Sequence, residues 1–328
     1  MNQYKIITSA NWLPKYRRVN IQHSLPIYKL PSITPLQAKK VAKVDSGEDA
    51  FFLNSTVKNQ YLGIADGVGS WEKVGIDPSQ FSWSLMNHAS EIIQQNRTSF
   101  GNEMELSSLE LLQQAYNRLL KNKEKIVGSS TASILKINKD NGRLNGVNLG
   151  DSSFLIIRNR SEIIYKSQEQ QHFFNCPYQL SIIPKEYQLN QGYIKNEPSD
   201  CNQIELELKE NDLIILATDG YFDNVFDEET INIIQNEFLQ FQIDHNTHTY
   251  SSVNETTKQL INIKNSDWLQ LKIRKLSNKL AETARKYSLN PKRLSPWSNS
   301  LLKYHQYLEL GGKLDDITVL VALVQKNE

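Results

Sequence analysis

Three segments of the chain carry apolar residues at the spacing of an amphipathic helix, in which positions three and four apart share a face. The apolar positions are Phe81, Leu85, Ala89, Ile92 and Ile93 in the first segment, Leu106, Leu109, Leu112, Tyr116, Leu119 and Leu120 in the second, and Ile273, Leu276, Leu280, Ala284 and Tyr287 in the third. Ser79, which follows Pro78, is a suitable N-cap for the first helix. We expect all three apolar faces to pack into the core.

Eight shorter runs are rich in β-branched and aromatic residues and are bounded by turn residues, which is typical of β-strands. They cover residues 4–8, 61–65, 130–137, 144–149, 154–158, 204–208, 213–218 and 317–324. Strands cluster along the chain and helices cluster, whereas a parallel sheet requires the two to alternate. The pattern therefore predicts an α+β fold with largely antiparallel sheets.

Composition and charge exclude several classes of protein. Hydrophobic residues make up 39% of the 328 residues, an ordinary value for a globular chain. The 37 basic and 36 acidic residues nearly cancel, which gives no electrostatic basis for binding nucleic acid. No stretch reaches the roughly 18 apolar residues of a membrane-spanning helix. We therefore expect that this chain is not an integral membrane protein. Cys176 and Cys201 are too few for a disulfide framework, and we expect free thiols.

We interpret residues 1–328 as a single domain, because no run of Gly, Ser or Pro marks a linker. The segment from about residue 245 to 267 is rich in Asn, Ser and Thr, and we interpret it as a polar insertion. The sequence carries no signal for an oligomeric state.

Acidic residues lie at the ends of the predicted strands. Asp66 follows 61–65, Asp151 follows 144–149, Asp219 follows 213–218, the pair Asp315–Asp316 precedes 317–324, and the pair Glu48–Asp49 precedes the apolar residues 50–53. One such acid is commonly a turn residue. Several of them, each beside an apolar run, indicate that carboxylates gather at the ends of the sheets.

Gathered carboxylates point to a metal site. Ionised carboxylates within a few ångströms repel one another and need a cation to remain charged. Oxygen ligands select Mg²⁺, Mn²⁺ or Ca²⁺, and the absence of His and Cys from these motifs argues against zinc. Two such ions can hydrolyse a phosphate ester by activating a water and neutralising the phosphoryl oxygens. A calcium-binding structural domain is a weaker interpretation, because the acids come from distant strands and lie beside Gly67, Gly69 and Gly220.

Six motifs occur in an order that resembles a known family. They are GED at 47–49, ADGVG at 65–69, GSSTA at 128–132, NLGDS at 148–152, ATDGYFDN at 217–224 and GGKLDDITV at 311–319. Together they resemble the metal-dependent protein serine/threonine phosphatases of type 2C, the PPM family, over about residues 4–324. VGIDPSQFS at 74–82, EQQHFFNCPYQLS at 169–181 and the SPW near Ser295 resemble its PTC-seven-like branch in particular.

The resemblance implies an αββα sandwich, in which two antiparallel sheets pack face to face between helices. It also implies hydrolysis of phosphoserine and phosphothreonine in phosphoprotein substrates, by a water that two Mn²⁺ or Mg²⁺ ions activate, without a covalent phosphoenzyme. Asp66 and Asp219 are the implied catalytic residues. The other implied metal ligands are Glu48, the carbonyl of Gly67, Asp151 and Asp315, and the residues implied to orient them are Asp49 and Asp316.

In this scheme Asp66 bridges the two ions. Glu48 and Gly67 complete the protein ligands of one ion, and Asp219 and Asp315 belong to the other. Asp151, together with Asp219, would hold the third ion found in some members of the family.

Two positions depart from the family pattern. Val68 stands where many members have a His that protonates the leaving group, and Val44 stands where many have an Arg that binds the phosphate. Lys43 or Lys73 would then supply positive charge near the phosphate. The alternative function is a catalytically weak pseudophosphatase that binds a partner through the same fold, but the complete carboxylate set favours the enzyme.

The cellular location rests on two opposing observations. The resemblance to the PTC-seven-like branch implies the mitochondrion. The first 44 residues hold eight basic and no acidic residues, which is typical of a transit peptide, but the strand-like YKIIT at 4–8 leaves little room for a cleavable presequence. The cytoplasm is therefore the alternative expectation.

Overall fold

The computed structural model describes residues 2–16, 44–96, 105–121, 126–185, 192–250 and 265–327. The strands are β1 (Tyr4–Leu13), β2 (Ala50–Ser55), β3 (Asn59–Ala65), β4 (Gly128–Ser130), β5 (Ala132–Asn138), β6 (Arg143–Leu149), β7 (Ser153–Arg158), β8 (Glu162–Lys166), β9 (Gln171–Phe173), β10 (Cys176–Pro177), β11 (Leu180–Ile182), β12 (Asn202–Glu207), β13 (Leu213–Ala217) and β14 (Ile317–Lys326). The helices are α1 (Pro78–Gln95), α2 (Ser108–Lys121), α3 (Asp219–Phe222), α4 (Asp227–Tyr250), α5 (Asn265–Ser288) and α6 (Pro296–His305), with short 3-10 segments at Gly69–Val74 and Pro198–Asp200.

Ten of these strands form two antiparallel sheets of five. The order in the first sheet is β12-β6-β5-β3-β2, and the order in the second is β1-β14-β13-β7-β8. Helices α1 and α2 cover the outer face of the first sheet, and α5 packs on β1 and β14 of the second. The predicted α+β class and the αββα sandwich are thus confirmed.

Side-chain alternation along the strands separates the two cores. In β13, Ile214 and Leu216 point to the core shared with the first sheet and with α1 and α2. Leu213, Ile215 and Ala217 point to the second core, which α4 and α5 close from outside. Successive side chains of a strand point to opposite faces, so a strand buried on both faces is a continuous apolar run.

The three helices predicted from apolar spacing are present, with one correction at an N-terminus. Helix α1 begins at Pro78, and its N-cap is Asp77, not Ser79. Oδ1 of Asp77 accepts hydrogen bonds from the backbone N–H of Ser79 at 3.0 Å and from its hydroxyl at 2.6 Å. A carboxylate at this position satisfies N–H groups that have no partner within the helix.

The helices α3, α4 and α6 were not predicted. Only two apolar side chains of the first half of α4, Ile234 and Phe238, are buried in the second core, so the apolar stripe is too narrow to stand out. Helix α4 continues to Tyr250 and α5 begins at Asn265. Both ends of the segment predicted as a polar insertion, 245–267, are therefore helical, and its centre lies outside the described residues.

Strand β1 confirms the prediction for residues 4–8 and extends it to Leu13, since it pairs along its whole length with β14. Most of the basic N-terminal region, 17–43, falls outside the described residues. Both cysteines are free thiols, as expected. Within the described ranges, no helix has the length and apolar character that spanning a membrane requires.

Candidate active site

The acidic residues predicted at strand ends come together where the two sheets face each other. In the first sheet Ala50 pairs with Ala65, so Asp49 and Asp66 leave the sheet side by side. In the second sheet Ala217 pairs with both Val319 and Ser153, which aligns the ends from which the remaining acids extend. We call the following residues the acidic cluster: Glu48, Asp49, Asp66, Asp151, Asp219, Asp223, Asp315 and Asp316.

Asp66 and Asp219 occupy the centre of the acidic cluster. Burial raises the pKa of Asp66 well above its usual value, and repulsion from Asp219 and from further carboxylates adds to the rise. Burial also opposes the ionisation of Asp219, but the ammonium of Lys313 and a hydrogen bond from the Asp66 carboxyl lower its pKa below the usual value. The two carboxyl groups are therefore close enough to influence each other, and their pKa values shift in opposite directions.

The loop after β3 fixes the position of Asp66 through its backbone. The N–H of Asp66 donates to Oγ1 of Thr131 at 3.0 Å, and the N–H of Thr131 donates to the carbonyl of Asp66 at 2.9 Å. The next residue, Gly67, donates its N–H to the carbonyl of Glu48 at 3.2 Å. A Cβ at Gly67 would lie 2.8 Å from the carbonyl oxygen of Pro78, so only glycine allows this approach.

Glu48 and Asp316 form the side of the acidic cluster between the two sheets. The N–H of Glu48 donates to Oδ2 of Asp316 at 2.8 Å. Gly47, which precedes it, has a φ of +71°, and a Cβ there would lie 2.1 Å from Oδ1 of Asp316. Burial, with repulsion from Asp316, raises the pKa of the Glu48 carboxyl to about 8.

Asp151 and Asp315 complete the predicted set. Burial raises the pKa of Asp151 well above its usual value, and Asp219 adds to the rise. The pKa of Asp315 is raised by the same two causes. Nε2 of Gln171, from β9, approaches Oδ2 of Asp151 at 3.4 Å. All the acids predicted from the sequence are thus brought together at one place.

A lysine that the sequence analysis did not single out lies within the acidic cluster. Nζ of Lys313 donates to Oδ2 of Asp219, lies 2.8 Å from Oδ2 of Asp223 and 3.3 Å from Oδ2 of Asp315. Burial opposes the charge of Lys313, but these carboxylates raise its pKa well above the usual value. Lys313 is therefore a buried, permanent cation that compensates part of the acidic charge.

A second lysine lies at the rim. Lys15 follows β1, and its N–H donates to Oδ1 of Asp316. Its Nζ lies 3.9 Å from Oδ1 of Asp315, and its side chain is 36% exposed. No local signal in the sequence indicates this position, because residue 15 meets the acidic cluster only through the pairing of β1 with β14.

Asp223 was also missed, although its signal was present. Asp223 follows Asp219 by four residues, and residues four apart in a helical turn lie on the same face. Burial raises the pKa of Asp223 to about 7, and Lys313 opposes the rise. The side chain of Asn224 ties this turn to Lys313 by accepting from its N–H at 2.9 Å and donating to its carbonyl at 2.8 Å.

The positions that depart from the family pattern supply no charge. Val44 is half-buried against the apolar core. Val68 donates its N–H to the carbonyl of Ser129 at 3.0 Å. Lys73 is exposed in the 3-10 segment Gly69–Val74, and Lys43 lies outside the described residues.

By its chemistry the acidic cluster suits a hard divalent cation. All its donors are oxygens, and Oδ1 of Asp219 is buried with no hydrogen-bond partner among the described residues. In the ranges that the structure covers, no group of three or more Asp, Glu, His or Cys side chains is arranged to hold a metal ion as it stands. The ammonium of Lys313 is the compensating charge that the chain itself provides, so a metal ion would bind with rearrangement of these side chains.

Comparisons with known proteins identify the family. No family model matches the chain. A fruit-fly protein, the "Protein phosphatase PTC7 homolog fig" of Drosophila virilis, is 35% identical over 295 residues, which cover 89% of this chain and 83% of that protein. The human "Protein phosphatase PTC7 homolog" is 34% identical over 279 residues, which cover 85% of this chain and 79% of that protein.

One solved structure supports the fold. The "photosystem II phosphatase PBCP" superposes with a TM-score of 0.66 at 24% sequence identity, over 98% of this chain and 99% of that one. The two sequence relatives are 35% and 34% identical over 89% and 85% of this chain, which shows that they share its family. The chain therefore belongs to the PTC7-like branch of the type 2C, or PPM, protein serine/threonine phosphatases.

Proposed function

We propose that the acidic cluster holds two Mn²⁺ or Mg²⁺ ions with which this phosphatase hydrolyses phosphoserine and phosphothreonine. The observation that carries the proposal is the convergence of acidic residues from both sheets: Asp219 and Asp315 meet at Nζ of Lys313, and Oδ2 of Asp316 accepts the N–H of Glu48 from the other sheet at 2.8 Å. Buried carboxylates that lie this close to one another cannot all ionise without a cation. When bound, such a pair of ions supplies a nucleophilic water and neutralises the phosphoryl oxygens.

The residues that would hold the two ions are Glu48, Asp66, Asp219 and Asp315, together with the carbonyl of Gly67. Asp151, which lies close enough to Asp219 for the two charges to repel, would serve a third ion. Asp49 and Asp316 orient the ligands. Asp316 does so by accepting the N–H of Glu48 at 2.8 Å, which holds the Glu48 backbone beside the second sheet.

The remaining residues of the chain preorganise these ligands. Hydrogen bonds with Thr131 hold the backbone of Asp66, and Lys313 keeps Asp219 ionised. Both effects reduce the reorganisation that binding of a cation would require. Neither residue needs to touch the substrate for this purpose.

The test is hydrolysis of a phosphothreonine peptide and of p-nitrophenyl phosphate by the full chain. Activity should vanish in EDTA and return with Mn²⁺ or Mg²⁺, whereas Zn²⁺ should substitute poorly because all the ligands are oxygens. Full activity after exhaustive chelation would contradict the proposed mechanism. No hydrolysis with saturating Mn²⁺ would favour the alternative, a pseudophosphatase that binds a partner.

The proposed location is the mitochondrion, with the cytoplasm as the alternative. The support is the resemblance to the PTC-seven-like branch and the acid-free, basic first 44 residues. Imaging of the full-length protein with a C-terminal tag decides between the two compartments.

A further inference from the structure

The acidic cluster poses an electrostatic problem for a phosphate substrate. A phosphate monoester is a dianion near neutral pH and approaches eight carboxyl groups. The position that carries a phosphate-binding Arg in many relatives is Val44, which packs against the core. The proposed ions would neutralise part of the negative charge, and a cation of the chain beside them would bind and orient the phosphate.

Lys313 does not meet this need, although it is the cation nearest the centre. Its Nζ already contacts carboxylates of Asp219, Asp223 and Asp315, and an ammonium has three N–H donors. Its side chain is 15% exposed. The donors of Lys313 are thus directed into the acidic cluster.

Lys15 has the donors and the exposure that Lys313 lacks. Among the described residues its Nζ makes one ion pair, a long one of 3.9 Å to Asp315. That distance exceeds the length of a good charge-assisted hydrogen bond, about 2.7–2.9 Å, so its donors remain available. Lys15 also lowers the pKa of Glu48 and of Asp316, which shows that its charge acts across this side of the acidic cluster.

The backbone at Lys15 is held in place. Its N–H donates to Oδ1 of Asp316. Nη2 of Arg285, on α5, donates to the carbonyls of Leu13 and Pro14 at 2.7 Å each. These bonds fasten the end of β1 beside the acidic cluster while the side chain of Lys15 stays partly exposed.

We propose that Lys15 is the phosphate-binding cation of this phosphatase and takes the place of the Arg that is absent at Val44. Its ammonium donates to a phosphoryl oxygen of the substrate and to the inorganic phosphate that forms. This assignment rests on the proposed function, because it requires a phosphate ester beside the acidic cluster. Lys73, the described one of the two candidates from the sequence, is exposed in the 3-10 segment, and among the described residues no ion pair joins it to the acidic cluster.

The experiment measures kcat and KM on a phosphothreonine peptide, and product inhibition by inorganic phosphate, with saturating Mn²⁺. In Lys15→Met, KM and the inhibition constant of phosphate should both rise about tenfold or more, the usual effect of losing one charge-assisted hydrogen bond. The kcat should change by less than about threefold, because the lost contact is made in both ground and transition states. Lys15→Arg should restore both constants to near the wild-type values.

Two control variants carry the same change of charge. Lys5→Met alters the same strand at its opposite end, where Lys5 pairs with Gln325, and Lys73→Met tests the candidate from the sequence. Both should leave KM and phosphate inhibition unchanged. An unchanged KM in Lys15→Met, or a rise in Lys73→Met alone, overturns the assignment while the proposed function stands. An inactive wild type overturns the proposed function itself.

Discussion

The hydroxyl of Thr218 donates a hydrogen bond of 3.0 Å to Oδ2 of Asp49, and this contact joins the two sheets at the acidic cluster. Thr218 follows β13 of one sheet, and Asp49 precedes β2 of the other. Oγ1 of Thr218 also accepts the N–H of Thr318 at 3.1 Å. Because all three residues are buried, the spacing of the carboxylates depends on the packing of one sheet against the other.

The first prediction concerns Asp66→Asn. The change is almost isosteric and creates no cavity, so the fold should persist. It removes a charge that the proposed cations require, and activity should fall by several orders of magnitude, since those cations would supply the nucleophilic water and neutralise the phosphoryl oxygens. The measurement is kcat on a phosphothreonine peptide with saturating Mn²⁺, with circular dichroism to check folding. Equal rates in wild type and variant would rule out the enzyme mechanism.

The second prediction concerns pH and Glu48 in protein kept in EDTA. The pKa of Glu48 is raised from 4.5 to about 8 in the folded protein. The folded form therefore retains a proton that the unfolded form releases, and stability decreases as pH rises between about 4.5 and 8. Glu48→Gln lacks this dependence. The Tm of wild type minus that of Glu48→Gln should fall from pH 5 to pH 8 by at least about 2 °C.

Asp223, whose pKa is also raised, to about 7, contributes in the same direction to both proteins. The difference between wild type and Glu48→Gln removes its contribution. A difference that stays constant or grows with pH would show that the pKa of Glu48 is not raised in the folded protein.

The third prediction concerns Lys313→Met. Loss of the ammonium leaves the carboxylates of Asp219 and Asp223 buried without their cation, and removing one partner of a buried ion pair typically costs about 3–5 kcal/mol. The variant should be less stable than wild type in EDTA. The added Tm that Mn²⁺ provides should be larger in the variant, because more negative charge is left uncompensated.

The matched control is Lys303→Met, an exposed lysine on α6, which should change neither Tm nor its response to Mn²⁺. The measurement is thermal unfolding with and without Mn²⁺ and without substrate. An equal Mn²⁺ shift in wild type and Lys313→Met would mean that Lys313 has no electrostatic influence on metal binding.

The fourth prediction concerns Gly220→Ala. In the short helix α3 an Ala would be favoured by about 1 kcal/mol from helix propensity alone. A Cβ at Gly220 would, however, lie 1.9 Å from the backbone carbonyl oxygen of Asp316. Overpacking against backbone costs about 1–3 kcal/mol or more, so the variant should be destabilised and lose activity. Gly192→Ala, where nothing lies within 4 Å, should be neutral in urea unfolding.

The sequence by itself was sufficient for the eight predicted strands, for the three helices with a clear apolar face and for every acid of the acidic cluster except Asp223. The spacing of apolar residues reflects local backbone geometry: side chains alternate between the two faces of a strand, and residues three or four apart share one face of a helix. Strands such as β13 and helices such as α1 could therefore be predicted from neighbouring residues. The acids beside the apolar runs of β3, β13 and β14 could be recognised for the same reason. The chemistry of the donor set, all oxygen, followed from residue type alone.

Only the tertiary structure decided which groups meet these acids. Lys15 and Asp316 are 301 residues apart and come into contact because β1 pairs with β14. Thr218 and Asp49 meet because one sheet packs on the other. Burial opposes ionisation of both Glu48 and Asp219, but their pKa values shift in opposite directions because Lys313 contacts Asp219, whereas Asp316 repels Glu48. Burial and charge separation are properties of the assembled fold, and spacing along the chain does not contain them.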